Sequence, residues 1–276
     1  MATFLTLDEL VATIGDGMSL AIPNDQAGVA MAATLALTAR ASKNLPKNLH
    51  VICVPISGMQ ADILIGRGMV SAIETSAVTL GEAGGAPRFA DGIRHRAFRM
   101  MDATCPALLA GFVAGQKGVP FMAIRGLIGS DLMAARPDWR IIDNPYADDD
   151  PVVVVPAIRP DVALFHAPEA DRFGNVRIGR HAELAAMAHA ARRTLVTVER
   201  ISDTSLLANE NEAAGVLPAL YVSAIAEVPR GAWPLGLWGE YALDGDEVAR
   251  YAQLAQTPEG FAAYLEGAMR RREIAA

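Results

Sequence analysis

Short aliphatic runs alternate with longer Ala-, Leu- and Met-rich stretches through most of the chain. Met18–Ile22, Leu49–Pro55, Val70–Glu74, Val119–Arg125, Thr194–Val198 and Leu220–Val228 read as strands. They are rich in Val, Ile and Leu and bounded by Gly, Pro, Asn or Asp, the pattern of strands buried on both faces. Between them, Ala27–Arg40, Pro106–Gly115 and Arg180–Arg193 carry helical spacing, so the order of elements predicts an α/β fold with a mostly parallel sheet. Near the start, Thr6 with Glu9 three residues later has the spacing of a capping box ahead of Leu7, Leu10, Val11 and Ile14. The last part, Asp246–Arg272, reads as two helices, the second with Pro258 in its first turn.

The centre of the pattern is Val152–Ile178, VVVVPAIRPDVALFHAPEADRFGNVRI. Four valines and then Val162–Phe165 predict two short buried strands, the second stopping at His166. Glu169, Asp171, Arg172 and Asn175 follow around Gly174 as a polar loop. Ligands of parallel α/β sheets sit beyond the carboxyl ends of the strands, so the residues just after each strand are the candidates for a site. No internal repeat or low-complexity linker interrupts the 276 residues, and 1–276 is expected to be one domain.

Composition narrows the function. Hydrophobic residues make up 52% and charged residues 20%, as in a folded globular chain. A net charge of -7 argues against unspecific nucleic-acid binding but leaves room for a local anion site. Cys53 and Cys105 show no metal-type spacing and suggest a reducing compartment. The first residues lack the basic start of a secretory signal, and no apolar run reaches membrane-spanning length. A cytoplasmic protein, not bound to membranes, is expected.

Several local features carry possible chemistry. Gly81–Pro87 is rich in glycine yet lacks the lysine and spacing of a phosphate loop, so a surface loop is the simpler expectation. Arg88, Arg94, His95, Arg96 and Arg99 form either a basic patch for phosphates or a solvated helix face. Asp102 ends an expected strand over Ala97–Met101 and is either a base that activates water or a structural carboxylate. Ser130, with Gly129 beside it, either hydrogen-bonds a substrate or caps the helix that starts at Asp131. Asp148–Asp150 lacks a calcium-loop pattern, and His181 and His189 lack a zinc motif; no metal site is expected.

The segment PAIRPDVALFHAPEADRFGNVRI resembles the "PA-x-x-PD-V-A-x-x-H-x-x-x-A-D-x-x-GN" segment of the alpha (A) subunits of family I CoA-transferases, of the glutaconate CoA-transferase type. Ala61–Gly66 is similar to the family's "AD-x-L-I-G", and Gly118–Phe121 with Gly129–Leu132 to "G-x-PF…G-[ST]-D-L". Val196–Ile201 and Pro229–Pro234 add similar "V-T-x-E-x-I" and "P-x-G-A-x-P" cues. The resemblance implies a three-layer α/β/α fold of the CoA-transferase (NagB/RpiA-like) type. It also implies coenzyme A as substrate rather than cofactor, an acyl-CoA and a carboxylic acid as reactants, and a beta subunit of similar fold in a hetero-oligomer. The nucleophilic glutamate of the two-subunit members belongs to that beta subunit.

Two positions depart from the family pattern. Where its members carry a glycine-rich turn, this chain has Ala21–Gly28, with Asn24 and Gln26 in the loop. Asp102 stands where many members carry a glutamate that, in a hydrolytic branch, resembles the catalytic base. The catalytic candidates are therefore Asp102 and Glu199, the latter also at a strand end. The substrate-binding candidates are Asn24, Gln26, Ser57, Arg125, Gly129 and Ser130. The leading expectation is one subunit of a transferase. The alternatives are the corresponding half of a thioester or ring-opening hydrolase and a non-catalytic ligand-binding protein.

Overall fold

The computed structural model describes residues 2–40 and 45–275. Eight parallel strands form the main sheet, in spatial order Thr3–Phe4, Ala224–Glu227, Arg193–Ser202, Val162–Asp171, Ser19–Pro23, Leu49–Val54, Val70–Thr75 and Arg99–Asp102. Two short strands, Val176–Arg177 and Val216–Leu217, add an antiparallel pairing at the end of Val162–Asp171. Helices Leu7–Ala12, Met31–Ala39, Met59–Gly66, Gly245–Leu254 and Pro258–Ala275 pack one face around Leu20, Ile22, Val51, Ile73, Leu164 and Tyr251. Cys105–Lys117 and Ala182–Ala190 cover the other face over Ile52, Phe112, Phe165, Met187 and Val196. This is a three-layer α/β/α arrangement. Both faces of the sheet are covered, which explains why its strands read as continuous apolar runs.

The predicted Thr6 capping box forms, and a further helix is capped at both ends. The Thr6 hydroxyl accepts from the Glu9 amide at 3.3 Å and the Glu9 carboxylate accepts from the Thr6 amide at 2.9 Å, so the capping box forms. Thr104 accepts from the Ala107 amide to start the Cys105–Lys117 helix, and Gly118, at φ +71°, ends it in the left-handed region. No helix among the described residues is long and apolar enough to cross a membrane.

Two expectations are corrected. The four valines lie outside the main sheet: Val152–Pro156 is the middle strand of a small antiparallel sheet, between Phe121–Ile124 and Arg140–Ile142. Its apolar run is buried because Val153 and Val155 pack with Leu108, Leu127 and Trp139 in a separate cluster. Val162–Asp171 does not stop at His166 but runs five residues further, in register with Arg193–Ser202. That extension carries buried His166 and Asp171, each satisfied by side-chain and backbone partners, so polarity there marks a network rather than a loop. The Gly81–Pro87 loop is exposed over most of its length, as expected, and its 3₁₀ turn Gly81–Ala83 rims the cleft described below.

Candidate active site

Strand order reverses between Ser19–Pro23 and Val162–Asp171, and ligands of such sheets bind beside that switch, beyond the strand carboxyl ends. A cleft of about 1300 Å³ opens there. Asn24, Asp25 and Gln26 follow the first of those strands, Pro55, Ile56 and Ser57 follow Leu49–Val54, and Thr79–Ala83 follows Val70–Thr75. The opposite wall comes from a distant part of the chain, Leu235–Tyr241 and the start of the Gly245–Leu254 helix. Of the expected substrate-binding residues, Asn24, Gln26 and Ser57 meet in this cleft.

Arg125, Gly129 and Ser130 do not line it. Arg125 pairs with Asp150 beside the small sheet, and the Ser130 hydroxyl donates to the Leu127 carbonyl at 2.7 Å. The strand Phe121–Ile124 that precedes them belongs to the small antiparallel sheet rather than to the parallel sheet whose strand ends form the cleft. Asp102 ends its strand exposed, outside the cleft lining; its carbonyl accepts from Arg136 at 3.3 Å. The arginines of 88–99 lie outside the lining too. Arg88 is buried and donates to the Gln256 carbonyl, while Arg94 and His95 gather on Asp91.

Glu199 is held rather than poised. Its Oε1 accepts from His166 Nε2 at 2.7 Å, from Tyr241 Oη at 2.7 Å and from the Gly231 amide at 3.2 Å, and its Oε2 accepts from the Arg230 amide at 2.6 Å. His166 in turn meets Thr197 Oγ1 at 2.8 Å. Burial disfavours the Glu199 charge, but His166, Tyr241 and Arg230 outweigh it and leave the carboxyl below its ordinary pKa. A carboxylate with both oxygens engaged and its basicity lowered is a poor nucleophile. It clamps Pro229–Pro234, and through Tyr241 the far wall of the cleft, to the sheet. The segment that carries the resemblance thus builds the scaffold: His166 orients Glu199, and Asp171 with Asn175 ties the adjoining turn to Leu206 and Ala219.

Asp25 is the residue that sequence reasoning passed over. One carboxylate oxygen accepts from the Met59 amide at 3.3 Å, with the Gly58 amide beside it; the other is enclosed and has no hydrogen-bond partner. Gly58 permits this approach, since a Cβ there would lie 2.2 Å from the Asp25 carboxylate and 2.4 Å from the Thr79 carbonyl. Burial pushes the carboxyl up to about 6, against the pull of the Met59 and Gly58 amides. The folded chain therefore holds this proton more tightly than the unfolded chain. The resulting stability is fully present below the ordinary value of 3.8 and is lost as pH rises through about 6. Asp25→Asn is expected to raise stability at neutral pH by on the order of 2–3 kcal/mol and to flatten its pH dependence over that window. Chemical denaturation from pH 4 to 8 checks this; an unchanged or lower neutral-pH stability contradicts it. The only signal available beforehand was an acid in a loop where the family pattern has small residues.

Among the described residues no group of three or more His, Cys, Asp or Glu is placed to hold a metal. Cys105 borders the cleft, its Sγ 3.1 Å from Ser76 Oγ.

Residues 4–227 match the family described as Coenzyme A transferase. The chain is 31% identical to the A subunit of 3-oxoadipate CoA-transferase from Pseudomonas knackmussii over 271 residues, 96% of this chain and 93% of that one. The structure of a decarboxylase AibA/AibB overlays with a TM-score of 0.83 at 28% identity over 98% of each chain. The glutaconate coenzyme A-transferase of Acidaminococcus fermentans overlays with a TM-score of 0.86 at 24% identity, covering 96% and 88% of the two chains. In fold and in sequence, the chain belongs to the coenzyme A transferase family, on its A-subunit side.

Proposed function

We propose that this chain is one half of a cytoplasmic two-subunit CoA-transferase, moving CoA between an acyl-CoA and a carboxylic acid, with the nucleophilic glutamate supplied by a homologous B subunit. The observation that carries this reading is the cleft itself, open at the strand ends with the one family-matched glutamate near it, Glu199, fully engaged in holding the wall. The partner's glutamate attacks the thioester carbonyl and expels CoA thiolate, giving an acyl-glutamyl anhydride. The thiolate attacks the glutamyl carbonyl, releases the first acid and leaves a glutamyl-CoA thioester. The acceptor carboxylate then repeats the two steps in reverse. Asn24, Gln26 and Ser57 supply hydrogen bonds along the substrate, and the Leu235–Tyr241 wall keeps water from the anhydride.

The test is exchange. The purified pair is expected to carry label from a free carboxylic acid into acyl-CoA with ping-pong kinetics, and this chain alone is expected to show none. Asp102→Asn is expected to leave turnover within about twofold, since the side chain lies outside the cleft. Release of free CoA without exchange, with a loss of roughly 100-fold or more in Asp102→Asn, would instead establish water activation by that carboxylate.

A further inference from the structure

Among the described residues, the cleft wall contains no lysine, arginine or histidine. It does contain four carboxyl groups: Asp25, Glu82, Glu240 and Asp246. Glu240 is neutralised by Arg200 at 2.7 Å, but Glu82 and Asp246 have no ion-pair partner among the described residues. Arg230 lies over the Tyr241 ring at 5.1 Å, and its backbone amide donates to Glu199, while Arg250, on the lining helix, pairs with Glu247. Such a wall repels the phosphates of CoA as well as any second carboxylate on the acyl chain. The part of the thioester laid against it is therefore uncharged.

The same wall offers hydrogen bonds that nothing in the fold uses. Ser57 is 2% exposed, and its hydroxyl has no hydrogen-bond partner within ordinary geometry, the buried Cys53 thiol making a weak approach to it. The free carboxyl oxygen of Asp25 is equally enclosed. Both residues line the cleft, and Gly58, next to Ser57 in sequence, is the glycine on which the Asp25 carboxylate rests. Buried polar groups without partners are costly, and a pair of them at the strand ends of a ligand cleft is explained by a ligand that completes them. Together a hydroxyl and a carboxyl can both donate and accept, which suits a hydroxyl, keto or amide group on the substrate.

We infer that this enzyme's acyl substrate carries an uncharged polar substituent, recognised by Asp25 and Ser57, and lays no second carboxylate against this wall. Asp25 and Ser57 are the specificity-determining residues, and the CoA phosphates are held away from this wall. The inference rests on the transferase reading and narrows its substrate class.

The experiment compares butyryl-CoA, 3-hydroxybutyryl-CoA, 3-oxobutyryl-CoA and succinyl-CoA as donors for the purified two-subunit complex. The 3-hydroxy or 3-oxo donor is expected to exceed succinyl-CoA in kcat/KM by at least about tenfold. Asp25→Asn and Ser57→Ala, shown folded by their melting curves, are expected to lower kcat/KM for that polar donor by about tenfold more than for butyryl-CoA. A purely structural role for either residue would move both donors alike, and that result overturns the assignment. Preference for succinyl-CoA overturns the substrate class while leaving the transferase reading intact. Failure of every donor, with no CoA exchange at all, removes the transferase reading and this inference with it.

Discussion

Glu199→Ala is expected to destabilise the chain by about 3–5 kcal/mol, because it strands a fully buried histidine, a tyrosine hydroxyl and two backbone amides at once. The loss is expected to fall on the Pro229–Tyr241 segment first, so the far wall of the cleft loosens before the sheet does. Hydrogen exchange of the Arg230 and Gly231 amides, read beside the melting temperature, checks both parts. Glu199→Gln separates structure from chemistry. It keeps the shape and one acceptor oxygen, and the two-subunit complex carrying it is expected to retain exchange within about tenfold. A nucleophile replaced by an amide loses several orders of magnitude, so a loss of about 10⁴-fold in a folded Glu199→Gln complex would return Glu199 to the reaction pathway.

Arg136→Met has the second large expected effect. Arg136 is 2% exposed and donates to Glu74 at 2.7 Å and to Asp138 at 2.7 and 2.9 Å, with its guanidinium over the Trp139 ring at 4.3 Å. It joins the edge of the main sheet, at Val70–Thr75 and the carbonyl of Asp102, to the start of the small antiparallel sheet. Burial already raises the Glu74 pKa, with Arg136 opposing the rise. Removing the arginine leaves an uncompensated buried carboxylate, a change worth about 3–5 kcal/mol. Glu74 in the variant then binds its proton more tightly in the folded than in the unfolded chain, so the deficit is expected to shrink as pH falls and to widen as pH rises. Denaturant midpoints at pH 5 and pH 8 measure it. A deficit equal at both, or below about 1 kcal/mol, would show that the pair does not hold the two sheets together.

The contrast between these two networks explains what was legible in the chain. The parallel strands could be read because both of their faces are apolar, and the Thr6 capping box because its partners are three residues apart. Val162–Asp171 was cut short because His166, Glu169 and Asp171 look like the start of a loop until Thr197, Glu199 and Leu206 are brought beside them from more than 30 residues away. The valines of 152–155 were legible as a strand but not as an antiparallel one, since burial by Leu108 and Trp139 produces the same apolar run as burial within a parallel sheet.

The site divides in the same way. The rule that ligands sit beyond strand ends, which needs only strand boundaries, is enough to put Asn24, Gln26 and Ser57 on the cleft lining. The same rule does not bring Arg125, Gly129 and Ser130 to that cleft, because it depends on which sheet a strand joins. Asp25 stands out from Asn24 and Gln26 by one enclosed carboxyl oxygen without a partner, beside Gly58, which only the folded chain reveals. The wall formed by Leu235–Tyr241 carries no motif and is brought there by the Glu199–Tyr241 hydrogen bond, a contact across 42 residues.

The central claim is a division of labour: this chain shapes the cleft and its partner brings the attacking carboxylate. Borohydride trapping of the two-subunit complex during turnover with acyl-CoA, followed by peptide mass spectrometry of both chains, tests it most directly. The account predicts a single reduced glutamate on the partner and no modified acid in this chain. A reduced Glu199, Asp25 or Asp102 would contradict it.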